Sequence, residues 1–534
     1  MSDAKPTTPT WHAAKWNEPL IMELSETDER GIVPPAADAT IAAAVGDVLA
    51  DLPDSIRRKG APDLPEVPQH RVVRHFTRLS QMCLGMDVAV DMMGTCTMKY
   101  SPKMHDHVSR QPNFSDLHPL QGEETMQGLL EVMYRFNRMM CNIAGMDEFT
   151  FQPASGAQGI YTNACLIRAY HESRGELGQR DEIITTAFSH PADAATPHVA
   201  GFKVITLMPG EMGYAGVDAL KAAISDRTAG LMLTNPEDTG QYNPAIEEFV
   251  RLVHEAGGLC AYDQANGNPL LGVTRAGDAG FDMCQFNLHK TFSAPHAGIG
   301  MGCAAVGVKE HLRQFLPKPV ITFDGERYHL EDDRPEAIDK IRSFVGNVHA
   351  VLKAYCWVMS LGAEGLRAVA ETAVLNNNYL LARIREIDGV RIPWPKNDLP
   401  KLEQVRYSWE PLFEETGVST FEIKDRMVDY GVQHYMESHV PMLVPQPFTI
   451  EPGESLTIEE MDQMIGALAS IAAEARSEPD TIRTGPHNAA ISRVDEEIPH
   501  DPDGWAFTWK AMQRKKAYWT SDNRNKIDRS HGGY

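Results

Sequence analysis

Between residues 149 and 308 short apolar runs alternate with amphipathic ones, and this alternation restricts the fold more than any other feature of the chain. Strand-like runs cover 149–152, 183–188, 203–207, 229–234, 259–263, 282–286 and 304–308. Helical spacing covers 160–171, 217–225 and 246–256, the last closed by Gly257-Gly258. Strands separated by helices pair through crossovers, which predicts an α/β fold with a mainly parallel sheet and helices on both faces. In such sheets ligands bind beyond the carboxyl ends of the strands. Ser189-His190, Asn235-Pro236, Asp263 and Lys290 all lie just past a predicted strand end, and that shared position says more than any one of them.

Upstream, 122–145 reads as a helix. Met126, Leu129, Leu130, Met133, Phe136, Met140 and Ile143 recur at helical spacing, with Glu123 and Glu124 in the first turn. A Pro-, Ala- and charge-rich N-terminal arm carries one further expected helix at 37–52. Past Leu316-Pro317-Lys318-Pro319 the pattern changes to consecutive helices at 341–361 and 365–387, with short strands near 390–392 and 420–423. The capping box Thr457-Ile458-Glu459-Glu460 then starts a helix running to about Ala475. The expected division is an arm with an active-site loop (1–115), a large domain (116–335), a smaller C-terminal α/β domain (336–478) and a polar tail (479–534) bearing Trp505, Trp509 and Trp519.

A chain of 534 residues is too long for one core and needs two or three. No apolar run is long enough to cross a bilayer, and the N-terminus lacks the layout of a signal peptide. The eight cysteines are scattered without a C-x-x-C pair, which suggests neither a zinc site nor a disulfide framework. His105 and His107 form an H-x-H without matching ligands nearby, so no metal is expected. A reduced, cytoplasmic setting is the expectation. The net charge of −23 argues against nucleic acid and anionic membrane as partners.

The stretch Phe286-Asn287-Leu288-His289-Lys290-Thr291-Phe292-Ser293 places a lysine just beyond a core strand. Either Lys290 is a structural lysine paired with a carboxylate at the sheet edge, or it condenses with a cofactor aldehyde in a shielded pocket. Pyridoxal phosphate asks four things of a protein: a lysine, a carboxylate for the pyridine nitrogen, a flat side chain on the ring and an anion site for the phosphate. In chain order this sequence offers the small-residue turn Ser155-Gly156-Ala157 at a helix start, then His190, Asp263 and Lys290. Each has a plainer reading, as an ordinary turn, a structural histidine, a capping aspartate. Together, at strand ends and in this order, they point to a pyridoxal phosphate site. The loop Gly94-Thr95-Cys96-Thr97-Met98-Lys99-Tyr100-Ser101-Pro102-Lys103 suits a carboxylate or phosphate, or is simply a hydroxyl-rich turn.

Several long segments resemble the lysine-bearing subunit of the two-subunit glycine decarboxylases, the P-protein of the glycine cleavage system. They include Glu18-Pro19-Leu20-Ile21-Met22-Glu23-Leu24-Ser25, Arg71-Val72-Val73-Arg74-His75-Phe76-Thr77-Arg78-Leu79-Ser80, Cys96-Thr97-Met98-Lys99-Tyr100, Leu117-His118-Pro119-Leu120-Gln121, Ile167-Arg168-Ala169-Tyr170-His171-Glu172 and Asn287-Leu288-His289-Lys290-Thr291-Phe292. The resemblance implies fold type I, similar to aspartate aminotransferase. It also implies Lys290 as the cofactor lysine, His190 stacked on the ring and Asp263 beneath the pyridine nitrogen. Asn266 and Thr291 are expected beside the cofactor and His289 as a proton relay, with Thr95, Thr97 and Lys99 on the substrate carboxylate. The implied partners are an α-type subunit, or a second copy of the chain, and a lipoyl-carrying H-protein.

The departures from that pattern fall in the same places. H-G-T-N-P-A is replaced by His190-Pro191-Ala192-Asp193-Ala194-Ala195, and N-P-N-T-L-G by Asn235-Pro236-Glu237-Asp238-Thr239-Gly240. A glycine-rich run becomes Pro295-His296-Ala297-Gly298-Ile299-Gly300-Met301-Gly302, with bulk where glycines allow close approach. Asp193 introduces a carboxyl at a position the resemblance leaves neutral. Changes clustered at the expected site describe a divergent paralogue. Three functions follow: glycine decarboxylation with lipoyl transfer, a related reaction on another small amino acid or amine without it, and a non-catalytic scaffold. Retention of Lys290, Asp263 and His190 argues against the last.

Overall fold

The computed structural model describes residues 11–90 except 30, 33, 48, 61 and 63, then 99–118, 120–294, 302–491 except 434, and 493, 508–511 and 513. Thr95, Thr97, the 295–301 run, Trp505 and Trp519 lie outside the described residues. The chain divides into two units, 1–11 with 85–485, and 12–84 with 486–534.

The larger unit is built on seven strands: β1 (Glu148–Thr150), β2 (Glu182–Thr186), β3 (Lys203–Leu207), β4 (Thr228–Thr234), β5 (Leu259–Asp263), β6 (Met283–Asn287) and β7 (Ala304–Val308). Their order is β1-β7-β6-β5-β4-β2-β3. From β3 across to β6 neighbours run parallel, whereas β7 is antiparallel to both β6 and β1. β5, β6 and β7 are buried along their whole length, which is why they read as continuous apolar runs rather than alternating ones. Helices α1 (Gln127–Ala144), α2 (Gly156–Ser173), α3 (Pro191–Val199), α4 (Val217–Ala223) and α5 (Ile246–Glu255) connect or cover these strands. One core gathers Phe136, Met140, Phe249, Phe286 and Phe292, a second Ile160, Leu166, Ile183, Met283 and Leu312. The expected helix at 122–145 is α1 preceded by a 3-10 turn at Glu123–Thr125, and Gly145 ends it in the left-handed region at φ +69°. The sequence reading left α3 unassigned because its nine residues carry Pro197 and no strong apolar period.

Beyond the hairpin of β8 (Val320–Phe323) and β9 (Tyr328–Glu331), α6 spans Val348–Ile384 with a break at Gly362, φ +62°. It begins at 348 rather than 341 because Asn347 caps it, accepting from Ala350 N at 3.3 Å. β10 (Val405–Ser408), α7 (Glu410–Thr416), α8 (Thr420–Met427), β11 (Pro447–Ile450) and α9 (Ile458–Ser477) follow. The strand expected at 420–423 is wrong: the segment opens α8. Its Thr-Phe-Glu-Ile composition suits a strand, yet Ser419 and Glu422 form a reciprocal capping box that commits the backbone to helix. The strand expected at 390–392 reduces to a single bridge, Arg391 to Ser408. The capping box at Thr457 forms as expected. This part has its own core, in which Tyr407 and Trp409 each stack on Phe448 with ring centres 4.9 Å apart.

In the smaller unit, helix Gln69–Gln81 buries His75, whose Nδ1 lies 2.8 Å from Glu18 Oε1 while Arg78 donates to Glu18 Oε2 at 3.0 Å. The helix expected at 37–52 is shorter, Ala39–Val45, started by Asp38 and stopped by Gly46 at φ +68°. Among the described residues no helix is long and apolar enough to cross a membrane.

Candidate active site

Strand register sets the site. Thr234 at the end of β4 pairs with Asp263 at the end of β5, which pairs with Gln285 in β6, so three polar side chains stand level at the carboxyl edge of the sheet. Asp263 is buried; its Oδ1 accepts from Ala265 N at 2.9 Å and from the Gln285 amide. Its Oδ2 is buried and has no N–H or hydroxyl donor among the described groups. Burial pushes the Asp263 carboxyl up; the Ala265 N–H, Gln285 and the charge of Lys290 oppose that push. Lys290 follows β6 by one tight turn, its N–H donating to Asn287 O at 3.0 Å, and its side chain is buried with only 6% of the residue exposed. Thr291 holds that turn against the 264–268 loop, its Oγ1 accepting from Gly267 N at 2.8 Å.

The turn at 155–157 starts α2. Ser155 caps the helix, accepting from Gln158 N at 3.2 Å, and the positive end of an 18-residue helix faces the sheet edge. Glycine is required here by close approach. A Cβ on Gly156 would lie 2.6 Å from Asn287 Nδ2, and one on Gly159 2.9 Å from Gln285 Oε1. Without side chains at these two positions the helix start can press against β6.

His190 is half-buried at the start of α3, and its Nδ1 accepts from Ala192 N at 3.1 Å. Burial, then the nearby charges of Lys290 and His439, hold its imidazole down at about 4. It is therefore neutral near pH 7, with the proton on Nε2. His289 sets its Nδ1 against the Cys303 main chain, 3.0 Å from the carbonyl oxygen and 3.1 Å from the amide nitrogen.

Ser155, Gly156, Ala157, His190, Asp263 and Lys290 line one cavity of about 190 Å³, with Asn287 and His289 also on its wall. A smaller chamber shares His190, Asp263 and Lys290 and is closed by Asp238, Asn266, Glu403 and His439. Lys99 does not line either cavity. It is buried, donates to Glu454 Oε1 at 2.7 Å and to Asn268 Oδ1 at 3.3 Å, and stands 4.2 Å over the Trp357 ring. Burial pushes the Lys99 ammonium down, opposed by Glu454.

Sequence reading missed the wall of the smaller chamber. Asp238 Oδ2 takes Arg406 Nη2 at 2.6 Å and lies 3.3 Å from His439 Nδ1, whose ring meets that of His190 edge-on at 4.9 Å. Asp238 is one of the departures noted above; its partners sit on β10 and the 436–440 segment, which carry no periodic signal. Gly240, at φ +76°, lets the 235–243 loop reach them: a Cβ there would lie 1.6 Å from Gln404 O.

These residues fit pyridoxal phosphate. The orphan Asp263 Oδ2 is a ready acceptor for a protonated ring nitrogen, the α2 start suits a phosphate, and the buried Lys290 lies on the same cavity wall.

Residues 369–494 match the family described as glycine dehydrogenase, C-terminal domain, and residues 159–406 match aminotransferase class-V. The chain is 41% identical over 508 residues to the probable glycine dehydrogenase (decarboxylating) subunit 2 of Pyrococcus horikoshii, covering 95% of this chain and 98% of that one. A relative of the same name from Caldanaerobacter subterraneus is 41% identical over 481 residues, 90% of this chain and 96% of the other. Among solved structures, glycine decarboxylase (P-protein) of the glycine cleavage system in inhibitor-bound form superposes with a TM-score of 0.69 at 19% identity, over 82% of this chain and 100% of that one. A NifS-like protein gives 0.56 at 17% identity, over 72% and 100%. The superpositions speak for the fold; the sequence carries the relationship. Identity of 41% sustained over 95% of the length goes far beyond a shared fold: the chain belongs to the glycine dehydrogenase (decarboxylating) subunit 2 family of pyridoxal phosphate-dependent, fold type I enzymes.

Proposed function

We propose that this chain is the cofactor-bearing subunit of a glycine cleavage-type system, that glycine is its substrate, and that its aminomethyl product passes to a lipoyl-carrying H-protein. One observation carries the reading: Lys290, Asp263, His190 and the 155–157 turn come from separate connections of one sheet and meet at one cavity. Bound pyridoxal phosphate supplies an aldehyde and a ring that accepts the electron pair left when a carboxylate departs as carbon dioxide. Lys290 tethers the cofactor through Nζ. Neutral His190 offers a flat, uncharged face to the ring and so does not compete for its electrons. Asp263 holds the proton on the ring nitrogen, and the α2 start holds the phosphate.

Asn266 and Thr291 fasten the loops around the ring, and His289, on the cavity wall, is our proton relay. Thr95, Thr97 and Lys99 are our contacts for the substrate carboxylate, with Lys99 released from Glu454 to make them. An α-type subunit is the partner we expect, a second copy of this chain the alternative. We place the protein in the cytoplasm, in line with its scattered cysteines, and keep the division at 115, 335 and 478 as its domain plan.

A second reading has its own support. Buried Asp238, paired with Arg406 and set against His439, stands on the chamber wall where the resemblance has N-P-N-T-L-G, and it favours another small amino acid or amine without lipoyl transfer. One spectrum separates the two. The purified chain loaded with pyridoxal phosphate should absorb near ~420 nm through the lysine-bound cofactor, and Lys290→Ala should abolish the band. Titration with glycine, with and without an α-type subunit and a lipoyl protein, should shift the band and release carbon dioxide. A band that ignores glycine with both partners present, yet responds to another amine, overturns the glycine reading in favour of the second.

A further inference from the structure

Asp193 stands where the resemblance implies asparagine, and its surroundings give the change a specific chemistry. It lies in the first turn of α3, three residues after His190, and is 1% exposed. The Thr234 hydroxyl donates to its Oδ2 at 3.3 Å, and the His190 main chain also faces it. Thr234 is also the strand partner of Asp263, which brings the Asp263 carboxyl against that of Asp193. Two carboxylates in contact and out of water cannot both ionise, so the pair holds one proton. The groups facing each member decide where it resides. Asp263 has the Ala265 N–H, the Gln285 amide and the charge of Lys290; Asp193 has the Thr234 hydroxyl and the His190 main chain. Asp263 keeps the charge, and Asp193 becomes a donor to a carboxylate whose Oδ2 has no N–H or hydroxyl donor among the described groups and whose lone pairs can serve both Asp193 and the ring nitrogen.

We propose that Asp193 is a positioning residue for the ring-facing carboxylate: a neutral carboxylic acid that donates a hydrogen bond to Asp263 and so holds it ionised and correctly aimed. The replaced asparagine is also a neutral donor, so the exchange preserves the hydrogen bond while adding a titratable proton. The role toward the ring rests on the cofactor reading above; the acid–carboxylate pair does not.

The test has two independent readouts on the full-length chain. Infrared spectra of cofactor-free protein made with isotope-labelled aspartate should show a protonated aspartate carbonyl at pH 7 that disappears in Asp193→Asn. Glu237 and Glu403, also pushed up by burial, do not carry the label. With pyridoxal phosphate added, Asp193→Asn should bind within about threefold of wild type, whereas Asp193→Ala, lacking the donor, should bind about tenfold or more weakly. Absence of the protonated band, or its survival in Asp193→Asn, overturns the pair. Equal affinity of the Asn and Ala variants overturns the positioning role. A wild-type chain that shows the band but takes up no pyridoxal phosphate overturns the cofactor reading and supports the pair.

Discussion

Substituting Asp238 should cost more than any surface ion pair in the molecule. Arg406 brings its guanidinium inside with 1% of the side chain exposed, and Asp238 meets it with 8% exposed. Arg406 Nε also donates to Thr449 Oγ1 at 2.7 Å, and Gln404 Nε2 to Asp238 Oδ1 at 3.1 Å, so most polar atoms of the pair are satisfied. Burial alone would raise the Asp238 carboxyl. The Arg406 charge and the hydrogen bond from His439 outweigh it and hold the group at about 2, down from 3.8. A depressed carboxyl means the fold binds fewer protons than the unfolded chain. Its contribution is therefore present above pH 3.8 and lost as pH falls toward 2. That contribution is on the order of 2 kcal/mol. Asp238→Asn removes the carboxylate but leaves the arginine buried, which should cost about 3–5 kcal/mol at pH 7. The assay is the equilibrium urea midpoint of the cofactor-free chain for Asp238→Asn, Arg406→Met and the double variant Asp238→Leu/Arg406→Met. The double variant should recover much of the loss, because no unpaired charge remains. An Asp238→Asn midpoint within error of wild type, or a double variant as weak as the two singles added together, refutes the reasoning.

Glu237 should make the fold weaken with rising pH. Burial raises its carboxyl from 4.5 to about 8, so the stabilisation is complete below pH 4.5 and lost as pH climbs through 8. Glu237→Gln should flatten that decline, a difference on the order of 4 kcal/mol at alkaline pH, read as melting temperature against pH. Gly156→Ala forces a methyl against Asn287 and should cost about 1–3 kcal/mol while displacing the α2 start; a cofactor affinity equal to wild type would contradict the phosphate assignment. His190 should remain neutral down to about pH 5, since its imidazole is held at about 4; a nuclear magnetic resonance titration showing protonation near pH 6.5 would contradict it. Phe448→Ala removes the ring on which Tyr407 and Trp409 stack and should cost about 3–5 kcal/mol, measured by the same urea midpoint.

Much of the sheet was legible because its strands obey local rules. Buried parallel strands are continuous apolar runs, and the residues just past their ends can be read off by position, which is how His190, Asp263 and Lys290 stood out. Capping chemistry is local too: the Thr457 box was visible, and the Ser419–Glu422 box was available but outvoted by β-favouring neighbours. β10 and β11 were missed because each is four residues long and pairs with partners 39 to 45 residues away, a distance at which no periodicity survives.

The class of fold can be read from the sequence alone, and so can a candidate site at Lys290, Asp263, His190 and the 155–157 turn, since each depends on residue type and on position relative to a strand end. Which charges confront one another follows from the folded chain. Asp193 and Asp263 lie far apart in the chain, as do Asp238 and Arg406, and nothing local signals either meeting. Strand register and the close approach allowed by Gly156 and Gly240 bring such groups together, away from water. Electrostatic energies there depend on contact and burial, and both are properties of the folded chain alone.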